Sequence, residues 1–352
     1  MSEADHFLQL INGVESRAAT ARKRAWRVPR AERQRFIYDH TFRNDIEAVA
    51  YEIARNLGRL PDFVEPTTFV EKNRALYLTH PNPLMSLGAD KIEMRRLCDY
   101  VETPIKPPEM YATYSDPRDL NVTELPETCY LKISDGCKMN MLHARGMPVT
   151  PLWYRIFLWR KWHLDHWRRH GELHYRDIPK RLLVEEALLP PTSLRETGIF
   201  CAFGEPYAVN AKGHNFRGHK KFKGHIPLDD RYAALAAAYG GPLPVEMVGS
   251  KDLFEAMLDT ARRLSALFAH CRVDFMHNGD RTVIGEITLS PGGLKHPAAS
   301  PELEIARCKL IDTDRLDDVL DRGKQIAADL GWPTETSFGN FAGDPRLTTG
   351  GQ

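Results

Sequence analysis

Arg272-Val273-Asp274-Phe275-Met276-His277-Asn278-Gly279-Asp280-Arg281-Thr282-Val283-Ile284-Gly285-Glu286-Ile287-Thr288 is the stretch whose reading decides the fold. Two runs rich in β-branched and apolar residues flank Asn278-Gly279, a strong hairpin signal. Side chains alternate between the faces of a strand, so the hairpin register decides where the charged residues point. A strict two-residue turn at Asn278-Gly279 puts Asp274 and Glu286 on opposite faces. A loop with an odd residue count, centred near Asp280, sets the two carboxylates opposite each other, with Arg272 and Thr288 on the same face. Two acids so placed make a hard-oxygen site suited to Mg²⁺, which takes one or two carboxylates plus substrate phosphates. Arg272 beside them suits an anion or a developing oxyanion. The same spacing also suits an exposed sheet face whose acids pair with surface cations.

Upstream of this hairpin, residues 251–270 carry Leu253, Met257, Ala261, Leu264 and Phe268 at helical spacing. Ile199–Phe203 with Tyr207–Asn210 reads as a strand pair, Leu182–Ala187 as a strand, and Cys129–Ile133 as another. Residues 1–58 are charge-rich and helical in pattern, with Ile46, Val49, Ala50 and Ile53 on one face. Asp90-Lys91-Ile92-Glu93 is a carboxylate capping box opening a helix with Met94, Leu97, Cys98 and Val101 as its apolar stripe. A tryptophan-rich helix is expected over 151–170, and a last helix around 313–330 precedes a polar tail. Strands and helices so mixed, with non-adjacent pairing, suggest α+β or α/β layers. The chain divides into a helical region at 1–58 and units at 59–126, 127–190, 191–312 and 313–352.

Other residues carry candidate chemistry. Lys132, inside Tyr130-Leu131-Lys132-Ile133 and just before Ser134-Asp135-Gly136, can aim an ammonium at phosphate oxygens while turn amides assist. It can equally be an edge-strand lysine that blocks aggregation. Lys91 sits in a first helical turn, where the helix dipole disfavours a cation and a phosphate would compensate. Glu185 and Glu186 end an apolar strand and can offer backbone groups to a flat ring and a carboxylate to a ribose; one exposed and one paired acid fits as well. Residues 211–225 gather Lys212, Arg217, Lys220, Lys221 and Lys223 among glycines and histidines, a cationic loop able to close over a triphosphate or simply a solvated basic loop. His163, His166, His170 and His174 are spaced to share a helix face, but no cysteine or acid cluster completes a metal site. Trp153, Trp159, Trp162 and Trp167 alternate with basic residues, a mix that stacks on bases or sugars, or packs.

Bulk properties narrow the classes. With 352 residues and 42% hydrophobic content, the chain can bury two or three compact units. A net charge of +1 gives no whole-molecule bias toward nucleic acid or membrane. Cys98, Cys129, Cys137, Cys201, Cys271 and Cys308 show no C-x-x-C spacing and read as buried hydrophobes in a reducing compartment. The sequence has neither a secretory leader pattern nor an apolar run of membrane-spanning length, so a cytoplasmic location is expected.

Taken in order, these pieces resemble the TupA-like ATP-grasp family, associated with teichuronopeptide and other polysaccharide biosynthesis. The resemblance runs from about 64 to 295. Its motifs are Pro66-Thr67-Thr68-Phe69-Val70-Glu71-Lys72, Asn82-Pro83-Leu84, Asp90-Lys91 with Arg95, Tyr130-Leu131-Lys132, Trp167 to Tyr175, and Arg181 to Glu186. Phe200-Cys201 with Gly204 and Pro206, His219-Lys220-Lys221, Arg272-Val273-Asp274, and Gly285-Glu286-Ile287-Thr288 with Pro291-Gly292 complete it. The resemblance implies an ATP-grasp fold in which two α+β subdomains sandwich ATP. It implies Lys91 and Lys132 on the phosphates, with Ser134 and Gly136 in the phosphate loop, and the backbone of Glu185–Leu188, ending at Leu188, on adenine. Asp274 and Glu286, with Thr288, would hold Mg²⁺, and Arg272, Lys132 and Lys220 would be the catalytic set, with Gly292-Gly293 near the acyl phosphate. The implied activity joins a small-molecule, glycan or peptide carboxylate to an amine.

The chain departs from the family pattern in three places. Its phosphate loop has one glycine, Thr197-Gly198 stands where relatives carry a basic residue, and Pro190-Pro191-Thr192-Ser193 occupies the stretch expected to hold a ribose-binding acid. Two other classes compete with the ligase: a nucleotide-binding scaffold or glycan binder without chemistry, and a polyanion-binding module built on 151–181 and 211–225. The helical N-terminal region could dock on a partner or a twin subunit.

Overall fold

A computed structural model describes residues 2–136, 139–146, 151–188, 194–214, 220–228, 233–278, 281–291 and 300–339. Six helices come first: α1 (Glu3–Arg24), α2 (Arg33–Asp39), α3 (Asp45–Leu57), α4 (Phe69–Thr79), α5 (Leu84–Ala89) and α6 (Met94–Tyr100). Then follow β1 (Met110–Tyr114), β2 (Thr128–Ile133), β3 (Asn140–Ala144), α7 (Pro151–Trp162), α8 (His166–His170) and β4 (Leu182–Glu186). The second half runs β5 (Arg195–Ala202), β6 (Glu205–His214), β7 (Lys220–Ile226), α9 (Ala233–Ala237), α10 (Lys251–Ser265), β8 (His270–His277), β9 (Thr282–Thr288), α11 (Pro301–Cys308) and α12 (Leu316–Asp329). The fold is α+β, as expected, with two antiparallel sheets ordered β1-β4-β2-β3 and β7-β6-β5-β8-β9.

Each sheet has one covered face. In the first, Cys129, Leu131, Met141, Leu182 and Val184 pack against Tyr154 and Leu158 of α7. This follows from period-2 alternation in the strands meeting an i, i+4 pair on the helix. In the second, Ile199, Cys201, Cys271, Val273, Phe275 and Ile287 are all at most 2% exposed, and α10 packs across β5, β6 and β8. Ser250 caps α10 by accepting from the Leu253 N–H at 3.1 Å.

Several motif residues of the resemblance hold this frame together. Glu71, fully buried, accepts from Arg59 Nη1 at 2.6 Å and from the N–H groups of Asp62 and Thr68, closing the capping box of α4. Lys72 Nζ donates to the carbonyls of Cys308 and Ile311, and Asn82 Nδ2 to those of Leu267 and Val319. These contacts bind the N-terminal helices to the C-terminal segment.

Three expectations about helices need correction. The chain makes a turn over 91–93 and α6 begins only at Met94, although Asp90 Oδ1 does accept from the Ile92 N–H at 2.8 Å. The 251–270 helix stops at Ser265, because β8 starts at His270. The four-histidine row is not on one helix: Asp165 adopts an extended conformation (φ −95°, ψ 107°) between α7 and α8, and His174 follows α8 in a separate turn. Among the described residues no group of three or more His, Cys, Asp or Glu side chains could hold a metal ion. No described helix is long and apolar enough to cross a membrane. Cys98, Cys129, Cys201 and Cys271 are buried, as expected of small hydrophobes, and burial pushes the thiols of Cys98 and Cys129 up to about 11.

Candidate active site

The decisive hairpin pairs Asp274 with Glu286 and Arg272 with Thr288. Paired residues on antiparallel strands share a face, so all four side chains lie together. The route differs from the expected one. His277 pairs with Thr282, which leaves a four-residue loop, an even number. The odd residue is Gly285, which drops out of the ladder between the Phe275–Ile284 and Asp274–Glu286 pairs. Without that bulge Glu286 would pair with Val273 and enter the core.

Around Asp274 the geometry is tight. Arg272 donates from Nε to Oδ1 at 2.6 Å and from Nη2 to Oδ2 at 2.8 Å, a two-pronged pair. Thr288 Oγ1 donates to Asp274 Oδ2 at 2.7 Å and lies 3.4 Å from Glu286 Oε1. Burial, with the nearby Glu286 charge, pushes the Asp274 carboxyl above its usual range in spite of the Arg272 fork. For Arg272, burial works against its charge, but Asp274 and then Glu286 outweigh it and hold the guanidinium more firmly protonated than usual. Phe200 supplies an apolar flank, with the Arg272 guanidinium 5.5 Å from its ring centre.

On the neighbouring strand, Gly198 pairs with Asp274 on one side and Asn210 on the other. A Cβ there would stand 2.5 Å from Asn210 Oδ1, 2.9 Å from Arg272 Cδ and 2.9 Å from Asp274 Oδ1. The glycine thus makes room for the side chains of Asn210, Arg272 and Asp274. Glu196 and Lys212, paired with each other, continue the same face.

The first sheet's second face is not covered by α7 but is buried as well, with Leu183 at 0%, Glu185 at 2% and Lys132 at 8% exposure. Tyr130, Lys132, Leu183 and Glu185 alternate with the α7-covered residues, and the Tyr130 hydroxyl is raised first by burial and then by the charges of Glu196 and Glu185. Lys132, 8% exposed, pairs with Glu185 Oε1 at 2.5 Å, and Arg95 Nη2 reaches Glu185 Oε2 at 2.8 Å. Glu185 is therefore a buried carboxylate held by two cations. Its neighbour Glu186 lies on the other face, on Arg281 Nη1 at 2.7 Å and the Glu109 N–H at 3.2 Å. Of the two adjacent acids, only Glu185 looks toward Lys132.

Lys91 is buried, not exposed, and its Nζ donates to the Gly136 carbonyl at 2.5 Å. The Ser134 hydroxyl donates to the Pro179 carbonyl at 2.8 Å and accepts from the Arg181 N–H at 2.9 Å. Leu188 is buried. The backbone of Lys220 belongs to β7, but its side chain is outside the described set. Cys137, Lys138, Pro190–Ser193, Arg217, His219, Gly279, Asp280, Gly292 and Gly293 also lie outside the described residues.

Just past β9, Ser290 is anchored from below. Its Oγ contacts Glu172, lies 3.4 Å from the Tyr77 hydroxyl, and Glu172 Oε2 is 2.7 Å from His166 Nε2. Although burial opposes its charge, His166 and Arg74 hold the Glu172 carboxyl down at about 2. The sequence offered no pairing signal for Glu172, Asn210 or Glu196: Asn210 and Glu196 meet partners on a neighbouring strand, and Glu172 meets Ser290 from a segment far along the chain.

Residues 146–303 match the family model described as TupA-like ATPgrasp. The chain carries a TupA-like ATP-grasp segment. That segment contains Glu185, Gly198, Arg272, Asp274, Glu286 and Thr288, while Lys91, Arg95 and Lys132 precede it. No curated protein matches the chain. Among solved structures, D-alanine–D-alanine ligase from Bacillus anthracis complexed with ATP is 16% identical, with 70% of this chain and 69% of that one covered, at a TM-score of 0.36. The ATP-grasp ligase PsnB complexed with minimal precursor, Mg and ADP is 11% identical over 68% of this chain and 60% of its own, at 0.35. D-Alanine–D-alanine ligase from Helicobacter pylori is 12% identical over 68% and 58%, at 0.34.

Proposed function

We propose that this chain is an ATP-dependent ligase that activates a carboxylate as an acyl phosphate and joins it to an amine. The observation that carries the reading is the opposition of Asp274 and Glu286 on one face, with Arg272 and Thr288 beside them, inside the TupA-like ATP-grasp segment. The donor set fits Mg²⁺: two carboxylates and a hydroxyl, all oxygen, with an Asp274 charge that burial makes costly until a cation offsets it. Asp274, Glu286 and Thr288 would hold the ion, and Arg272 would release one prong of its fork to do so. Bound there, Mg²⁺ would neutralise charge on the γ-phosphoryl group.

The chain's own residues supply positioning and charge. Arg272, kept protonated by the acids, orients an anionic group beside Asp274 and Glu286. Lys132 from the first sheet and Lys91 from the turn before α6 would reach phosphate oxygens, Lys132 exchanging part of its contact with Glu185 for the nucleotide. The segment after Glu185, through Leu188, borders the adenine. Lys220 acts from the β6–β7 side. The bond sequence is attack of a carboxylate oxygen on the γ-phosphorus with loss of ADP, then attack of the amine on the acyl carbon with loss of phosphate. A screen pairing small acids, acidic sugars and peptides with amines, read as ADP release, tests this directly. Steady-state ADP release should require Mg²⁺ and both substrates; ATP binding without turnover under any pairing would instead favour a non-catalytic nucleotide-binding protein.

A further inference from the structure

Helix α7 is apolar on both sides. Tyr154 and Leu158 fill the first sheet's core, yet Leu152, Trp153, Ile156 and Trp159 on the far side are 65%, 46%, 43% and 42% exposed. An amphipathic helix would place polar residues there, so this face is built to be covered. The turn after α1 extends the surface: Trp26 is 68% exposed, Arg33 Nη2 donates to its carbonyl at 3.3 Å, and the Arg30 guanidinium lies 5.0 Å from the Trp159 ring centre. A groove of about 470 Å³ beside the helix is lined by Pro117, Arg118, Arg155, Ile156, Leu158 and Trp159.

Helix α7 itself is basic although the chain as a whole carries only +1, while Arg118 beside it is neutralised by its pair with Asp116. No acidic residue occurs between Asp135 and Asp165, a span that holds Arg155, Arg160 and Lys161, and none between Glu15 and Glu32, a span that holds Arg27 and Arg30. We propose that this surface docks on an anionic lipid bilayer, with Leu152, Trp153, Ile156 and Trp159 entering the headgroup boundary and the arginines meeting lipid phosphates. Tryptophan and aliphatic side chains beside arginine are the composition of an interfacial helix. A second copy of the chain fits less well, because a two-fold contact would bring a second set of the α7 arginines and Lys161 to the same interface with few acids to meet them. Nucleic acid fits poorly as well. Arg27 and Arg30 lie over the rings of Trp26 and Trp159, and Phe157 stacks on Trp153 at 5.5 Å, so one stacking face of each tryptophan is already taken.

The test is co-sedimentation of the full chain with vesicles of phosphatidylcholine alone and of phosphatidylcholine mixed with phosphatidylglycerol, with tryptophan emission read in parallel. The chain should pellet with the anionic vesicles only, with a blue-shifted emission, and release in high salt. Arg155→Gln and Arg160→Gln should each weaken binding about fivefold, and Ile156→Ser with Trp159→Ser should abolish the emission shift while the far-ultraviolet circular dichroism stays unchanged. Failure to pellet with anionic vesicles overturns the proposal. So does equal binding to both vesicle types that the variants leave intact, a dimer that the same substitutions dissociate, or vesicle binding lost to competition by single-stranded nucleic acid. Ligase turnover is not read, so the outcome is separate from that of the functional reading.

Discussion

The Cα of Gly198 lies so close to Asp274 that a Cβ built on it falls 2.9 Å from the carboxylate Oδ1. Asn210 Oδ1 and Arg272 Cδ close the same space. Gly198→Ala therefore displaces the Arg272–Asp274 fork. It should cost about 1–3 kcal/mol of stability, the usual price of overpacking, and reduce ADP formation far more than the stability loss explains. Gly241→Ala, with nothing within 4 Å of its Cβ, is the control that should change neither. Thermal melts and turnover on both variants check this.

Lys132, Glu185 and Arg95 form a buried triad in which the carboxylate serves two cations. Lys132→Met leaves Glu185 paired with Arg95, whereas Glu185→Leu leaves two buried cations without a counter-charge. Removing one partner of a buried pair costs about 3–5 kcal/mol when the other is left uncompensated. The denaturant midpoint should accordingly fall much further for Glu185→Leu than for Lys132→Met, while Lys132→Met should lose more ATP affinity than its stability loss implies.

Acid should destabilise the fold from below pH 6.5. Burial holds His174 and His270 down at about 3 and His277 at about 4, so the folded chain keeps them neutral while the unfolded chain protonates them near 6.5. Above pH 6.5 both states are neutral at these sites and no stability is lost. As pH falls from 6.5 toward 4 the unfolded state binds more protons and the folded state loses ground. Melting temperature should stay level from pH 7.5 to about 6.5 and then fall steadily to pH 5, and His174→Phe should flatten that slope.

Asn82 belongs to the motif set but serves the frame. Its amide donates to Leu267 and Val319 carbonyls, and Gly323 approaches it so closely that a Cβ there would lie 2.2 Å from Asn82 Oδ1. Asn82→Ala should cost about 1–3 kcal/mol by stranding buried carbonyls and leave KM for ATP unchanged in the folded fraction. Denaturant melts beside steady-state kinetics separate the two effects.

Much of the fold was legible because its signals are local. The alternation in 271–288 and the apolar stripe of α10 can each be read within one segment. What the sequence hid depends on pairing across distance. Gly285 as a bulge, the closeness of Gly198 to Asp274, and the burial of Glu185 between Lys132 and Arg95 all arise between strands or helices far apart in the chain. The broken histidine row shows the converse: regular spacing over 163–174 suggested one helix, and the extended backbone at Asp165 interrupts it.

The central claim is that Asp274 and Glu286 form a magnesium–nucleotide site, and calorimetric titration of the wild-type chain and of Asp274→Asn with ATP, with and without Mg²⁺, tests it most directly. Wild-type binding should strengthen at least about tenfold on adding Mg²⁺, and that gain should vanish in Asp274→Asn while the variant keeps the wild-type circular dichroism. An Asp274→Asn chain that still binds ATP as tightly with Mg²⁺ as the wild type would contradict the account.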